Sequence, residues 1–395
     1  SGAALGAGLI NYSGTNGTLI DSGSGTIVIK GESADVAGRA DFGVMTGLHP
    51  GDYSGKLTIK SSNTTATNAI SIFGSTASGE DGILIENHTR ILSTAITNGG
   101  GISITGSSGS RNALAVGIGS NAGTLEVLSA SGAIVVDVGS KPLSVASSGV
   151  FKLGSVVGDA AVASSTADVT IISDNVSWSG QVPVVTSGTL TIKPRAGQSF
   201  SSAFSTSSLN YSGITGLTIG HSDNTANITI GSAASIAGPI TIYGGNIAIN
   251  AALTASGANT VSLYATGNVT DSASGYIVAD NLALIGGAVT LDHTSNNVGT
   301  IAGESLTSLT YVDSNALRVG EVNPTGIAAS GNIRISTVTG NLTVSENITT
   351  AATGTDAIVL IAGSGTAAGT ATGGNVVFEN TSANTTPVSY THLRA

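Results

Sequence analysis

Four short segments of this chain open alike: Gly245-Asn246 before Ile247, Ala248 and Ile249; Gly331-Asn332 before Ile333, Arg334 and Ile335; Gly340-Asn341 before Leu342, Thr343 and Val344; and Gly374-Asn375 before Val376, Val377 and Phe378. Glycine tolerates positive φ and asparagine satisfies its own backbone at a corner, while aliphatics two residues apart point to one side of a strand. Each opener therefore reads as a corner followed by a half-buried strand. Repeated along 395 residues, such units describe a chain that winds on itself, every turn stacking on the one before. The expected fold class is all-β: a right-handed β-helix or β-solenoid of short strands.

Composition narrows the interior. Only 9% of residues are charged and 4% aromatic, with one Met and one Trp, against roughly 25% charged in ordinary globular domains. A thin column of Val, Ile, Leu and Ala suits that stock, and a hydrophobic share of 40% separates the chain from sequences that stay disordered. The 56 glycines, with abundant Ser, Thr and Asn, disfavour helix interiors. At about 20 to 25 residues per coil, the chain would make roughly 16 to 20 coils. A net charge of −10 with 13 scattered basic residues argues against binding nucleic acid or anionic lipid. Cysteine is absent, which removes disulfide and thiolate chemistry. No apolar run reaches the roughly 18 to 20 residues that cross a bilayer.

Strand-like triads recur at 57–59, 70–72, 83–85, 102–104, 125–128, 134–138, 169–172, 190–193, 217–219 and 228–230. They become most regular past residue 240, at 240–243, 247–249, 261–264, 276–278, 282–284, 289–291, 309–312 and 317–319. Their close spacing implies more than one strand per coil. The reading gives N-terminal coils over 1–180, regular coils over 181–387, and a weak subdivision near Trp178 and Pro183 in place of a linker. A charged excursion occupies about 31–56, holding Glu32, Asp35, Arg39, Asp41, His49, Asp52 and Lys56. Insertions at a corner leave a stack undisturbed, so Arg39, Asp41, His49 and Asp52 are the candidate recognition residues.

Catalysis on a β-helix needs clustered carboxylates. The candidates are Asp35, Asp41 and Asp52 in the excursion and Asp271, Asp280 and Asp292 further on, where a coil of about 20 residues would bring Asp271 beside Asp292. Asp at corners is better explained as a turn residue, and the chain is expected not to be an enzyme. His49, His88, His221, His293 and His392 lack metal-ligand spacing, so neither a metal nor a cofactor is expected. Sequons such as Asn63-Thr64-Thr65 and Asn268-Val269-Thr270 follow from composition. Outward Thr and Asn are expected to form polar ladders between coils.

Residues 246–254, 281–291 with the Gly286-Gly287 turn, 296–301 and Val322-Asn323-Pro324-Thr325-Gly326 resemble the repeat bodies of bacterial exoproteins of the filamentous-haemagglutinin type, secreted β-helical adhesins. The likeness covers 245–375 well and the first 200 residues loosely. It implies a non-enzymatic, extracellular or cell-surface segment of a large adhesin, serving as stalk and display surface. The implied partners are a host or neighbouring-cell surface, including its glycans, and an outer-membrane secretion transporter. The family's secretion domain carries an Asn-Pro-Asn motif, whereas the one Asn-Pro here, Asn323-Pro324, is followed by Thr325. The chain accordingly reads as a segment of a longer one. Residues 388–395 depart from the repeats and resemble translated adapter sequence, a non-native tail. Two alternatives stand beside this reading. One is a β-helical polysaccharide-degrading enzyme; the other is an ice-binding repeat, for which Thr189 and Thr191, Thr337 and Thr339, and Thr370 and Thr372 form pairs without regular spacing.

Overall fold

A computed structural model of the chain describes residues 6–11, 17–33, 41–47, 56–77, 80–97, 99–118, 122–365 and 372–379. The chain forms two compact units, Ser1–Ser202 with Ser208–Thr215, and Ala203–Ser207 with Gly216–Ala395. Both are β-solenoids of stacked parallel strands, as the corner pattern predicts. Among the described residues the only helical turn is a single 3-10 turn, Thr206–Ser208, and none has a helix long and apolar enough to cross a membrane.

In the first unit each coil carries three strands, one on each of three faces. The first face stacks Gly6–Asn11, Asp41–Thr46, Ile83–Ile85, Leu114–Val116, Leu143–Val145 and Val176–Trp178. Thr18–Asp21, Lys56–Ser61, His88–Ser93, Thr124–Ser129, Val150–Gly154, Val182–Val185 and Leu209–Ser212 make the second. Ile27–Ser33, Asn68–Thr76, Gly101–Ser108, Ile134–Gly139, Val169–Ser173 and Leu190–Lys193 make the third. Ile70 opposes Ile102, which opposes Ile134, so a coil here spends roughly 30 residues. Coils of the second unit are shorter: Ile240 opposes Val261, Val261 opposes Leu282, and Leu282 opposes Ile301, roughly 20 residues apart. Two of its strands, Ile277–Ile285 and Asn297–Leu306, each pair with two different strands of a neighbouring coil.

Among the described residues six strands stack on the first unit's first face and eight on the second unit's Phe204–Ser205 to Ile358–Ile361 face. That is fewer levels than 16 to 20, because loops at the corners lengthen the first unit's coils. The charged stretch 31–56 is one place where the sequence reads differently from the structure. Asp41–Thr46 is a strand of the first face, paired with Gly6–Asn11 on one side and Ile83–Ile85 on the other. Val44 and Thr46 face the interior while Phe42 and Met45 pack with Leu84 and Ala115, so the strand is buried from Phe42 to Thr46 and the surrounding charge obscures it. Arg39, His49 and Asp52 lie outside the described residues, as does the tail 388–395.

The core follows from period two. Inward residues stack as columns such as Ile70, Ile102, Ile134, Val169 and Leu190, or Ile228, Ile247, Val269, Val289, Leu309 and Ile333, all buried. Each such side chain contributes ~1.5–3 kcal/mol on burial. Where a strand ends and the chain turns, the inward position becomes polar. Ser61, Ser93 and Ser129 form a buried column in register. The Ser61 and Ser129 hydroxyls donate to the Gly25 and Gly132 carbonyls at 2.7 and 2.6 Å. Buried polar groups need such partners; the corners supply them to Ser61 and Ser129, whereas the Ser93 hydroxyl between them makes no hydrogen bond.

The Gly-Asn openers precede strands at all four places, Ile247–Ile249, Ile333–Thr337, Leu342–Val344 and Val376–Phe378, but for reasons other than those read from the sequence. Only Gly340 has a positive φ, at 77°. At Gly245 and Gly374 the neighbouring coil is too close for a side chain: a Cβ would lie 2.2 Å from the Thr225 and Gly340 carbonyl oxygens respectively. The asparagines serve the next coil and not themselves. The Asn246 and Asn268 backbone N–H groups donate to the Asn227 and Asn246 side-chain carbonyls at 2.9 and 2.8 Å, and Asn375 N–H donates to Asn341 at 3.0 Å. This is the expected asparagine ladder, and it links coil to coil.

Candidate functional site

The second face of the first unit carries charge on its outside, which is unusual in a chain so poor in it. In His88–Ser93, residues Thr89, Ile91 and Ser93 turn inward, which leaves His88, Arg90 and Leu92 outward. Parallel register sets Arg90 beside Glu126 and Glu126 beside Lys152, and it sets Leu92 beside Leu128. Like charges never meet in that column. Glu126 Oε1 accepts Lys152 Nζ at 2.8 Å, and Oε2 lies 2.7 Å from Arg90 Nε, an ion pair, and 3.3 Å from His88 Nε2. Burial alone would raise this carboxyl, but hydrogen bonds and charge from His88 and Lys152 pull it down to about 2.

Loop 155–168 folds over the outward leucines. Asp159 N–H donates to the Val156 carbonyl at 3.0 Å, and the Asp159 carboxylate accepts the Ala161 and Val162 N–H groups at 2.8 and 3.0 Å. That closes a tight turn through Gly158, whose φ is 79°. Val162 is buried against Leu92 and Leu128, with Val156 and Ala130 packed beside them. Arg90 also binds the Asp159 carboxylate; burial opposes the charge, yet the Val162 and Ala161 N–H groups and Arg90 hold Asp159 below the usual carboxylate range. The Ser155 and Thr166 N–H groups tie the two ends down, to Val185 and Ala130 carbonyls at 2.9 Å. Val157 at the tip is 83% exposed. The arrangement fixes a loop and presents an apolar tip. Both Glu126 oxygens are engaged by cations, so they are poor proton acceptors near neutral pH.

Of the acids singled out from the sequence, Asp271 behaves as a corner residue. Asp271 and Asp292 do fall on neighbouring coils, but the Asp271 carboxylate accepts the backbone N–H groups of Asp292 and His293 at 3.2 and 3.0 Å, and the Asn296 amide at 3.2 Å. Burial raises Asp271 despite these donors, with Asp292 adding to it. Asp280 accepts from the Asn281 side-chain amide at 3.1 Å. Asp41 starts a strand, and Asp35 and Asp52 lie outside the described residues. Asp313 is among the buried acids that went unread. Asp313 accepts the Tyr311 hydroxyl and Val298 N–H, both at 2.8 Å on Oδ2, and Asn315 N–H at 3.0 Å on Oδ1. Burial pushes it up to about 6 against those three donors.

The histidines disperse. His88 joins the ion-pair ladder, His221 sits 3.5 Å from Asp223, and His293 stacks on Tyr276 at 5.5 Å between ring centroids; His49 and His392 lie outside the described residues. Among the described residues no group of three or more His, Asp and Glu converges as metal ligands would.

Arg90, Glu126, Lys152 and Asp159 were not singled out by the sequence, though a signal existed. Three of them sit mid-strand between inward residues, as Thr89-Arg90-Ile91, Leu125-Glu126-Val127 and Phe151-Lys152-Leu153. A charge in that slot is rare in this chain. Compared with known protein families, with curated proteins and with solved structures, the chain matches none.

Proposed function

We propose that this chain is a non-enzymatic segment of an extracellular or cell-surface adhesin, a stalk and display surface whose contact element in the first unit is loop 155–168. The carrying observation is that this loop is closed by Asp159, anchored by Arg90 and packed on Leu92 and Leu128, yet holds Val157 out to solvent. Ordering a loop before it binds removes part of the entropy cost of contact. The partner is a host or neighbouring-cell surface or its glycans, reached after export through an outer-membrane transporter; both rest on the resemblance to filamentous-haemagglutinin-type exoproteins. Multivalent contact would let weak individual contacts add up. The test is binding of the purified chain to cell monolayers and immobilised glycans, compared with Val157→Asp. Loss of binding in a variant that remains folded supports the reading. Equal binding by both removes the loop from it, and product release from acidic polysaccharides overturns the non-enzymatic assignment.

One observation favours a second reading, ice binding. On the Phe204–Ser205 to Ile358–Ile361 face the outward positions run Thr229, Ala248, Thr270, Thr290, Thr310 in register. This threonine column, about 4.8 Å between successive members, was hidden by the roughly 20-residue spacing. Thermal hysteresis that disappears in Thr290→Arg would establish this reading; no hysteresis in the wild-type chain ends it.

A further inference from the structure

The first unit's interior is not filled. A cavity of about 310 Å³ runs along its axis, bounded by all three faces: Val44 and Ile83 on the first, Ile59 and Ile91 on the second, Ile72 and Ile104 on the third. It extends from the first coil, at Thr18, to the fourth, at Leu125. The Ile, Leu and Val side chains that line it from the three faces leave this space between them. Protein interiors ordinarily leave few voids larger than a water molecule. A void lined this way stays dry, and one of about 150 Å³ is already able to hold a benzene ring.

We infer that this axial cavity is a binding site for a single unbranched, uncharged aliphatic chain. Its walls are three flat sheets, so its section is narrow while its length follows the stack. Its polar lining atoms are threonine hydroxyls, and the innermost two are spoken for: Thr89 and Thr46 hydroxyls lie 2.8 Å apart, and Thr89 is 2.9 Å from the Asn87 side-chain oxygen. Among the described residues no cationic side chain lines the cavity to hold an ionised headgroup. At the first coil Thr18 and Ile20 line the cavity and are exposed.

Isothermal titration calorimetry of the whole chain with decanol tests this, with decanoate as the charged counterpart. The expected result is saturable one-to-one binding with a negative heat-capacity change, and weaker binding of decanoate. Ile59→Phe and Ile72→Phe place a larger ring in the void from two different faces, and each is expected to weaken decanol about tenfold or more. Val28→Asp, an outward and exposed position of the first coil, should leave binding unchanged. Absence of binding, indifference to both filling variants, or loss in Val28→Asp overturns the site, the last by showing that alcohol collects on the outer surface.

Discussion

Glu126→Gln examines whether the outer ladder is what holds loop 155–168 in place. The amide keeps the shape of the side chain and removes its charge, leaving Lys152 without its counter-ion and Arg90 with Asp159 alone. Glu126 is 7% exposed, and its partners Arg90 and Lys152 are 26% and 32% exposed. Breaking a buried pair by deleting one partner costs roughly 3 to 5 kcal/mol. Partial exposure of the cations lets water recover some of that, so the expected loss is about 2 kcal/mol at pH 7. The pH profile gives an independent check. Glu126 titrates at about 2 in the folded chain, below an ordinary glutamate at about 4.3. A carboxylate lowered on folding adds stability above its unfolded value, and that addition vanishes as pH falls toward the folded value. Wild type should therefore lose the increment between about pH 4.5 and pH 2, and the variant has none to lose. Urea unfolding followed by Trp178, the chain's single tryptophan and part of the first unit, measures both quantities. A variant within about 0.5 kcal/mol of wild type at pH 7, or one that keeps the wild-type acid slope, refutes the ladder's role.

Asp313 has the opposite sign. Its folded value of about 6 lies above the ordinary 3.8, so its contribution is full in acid and is lost as pH rises through about 4 to 6, ~3 kcal/mol in all; amide exchange at Asn297–Leu306 should slow below pH 5, and Asp313→Asn should flatten that trend. Gly245→Ala drives a Cβ to within 2.2 Å of the Thr225 carbonyl and should cost ~1–3 kcal/mol. Gly354→Ala meets nothing within 4 Å and needs no positive φ, so it should be neutral or slightly stabilising; melting temperatures that fail to separate the two would disprove the close-packing explanation of the corners. Asn246→Ala removes the acceptor for the Asn268 N–H and should cost about 1 kcal/mol, read by faster exchange of that amide.

Strands announced themselves wherever one face is buried and the other wet. The triads at 70–72, 102–104, 228–230 and 247–249 all became strands because Ile-x-Ile alternation is the physical signature of that placement. Leu114–Val116 was passed over although Ile83–Ile85, equally buried at all three positions, was read: Ile-Leu-Ile carries β-branched ends that Leu-Ala-Val has at one end only. The pairs 276–278 and 282–284 looked like two strands and are one, Ile277–Ile285, since nothing in the sequence marks whether a strand breaks at a bend. Coil length was legible in the second unit, where corners are short, and not in the first, where loops of differing length intervene. The charged ladder escaped for the same reason. Arg90, Glu126 and Lys152 are unequally spaced along the chain and become neighbours only when register is known. Loop 155–168 reads as a turn from Gly158-Asp159, but its packing on Leu92 and Leu128 depends on strands far away in sequence.

The polar corners carry an implication for lineage. Asparagine, serine and aspartate at the turns bond to an adjoining winding, as the strand ladders themselves do, so whatever joins one layer to its neighbour is local and interchangeable. A complete winding can then be deleted or copied as a cassette, provided the seam keeps alternation in phase. Descent by tandem duplication would lengthen or shorten such a column freely, whereas a single-residue slip would turn every aliphatic outward at once.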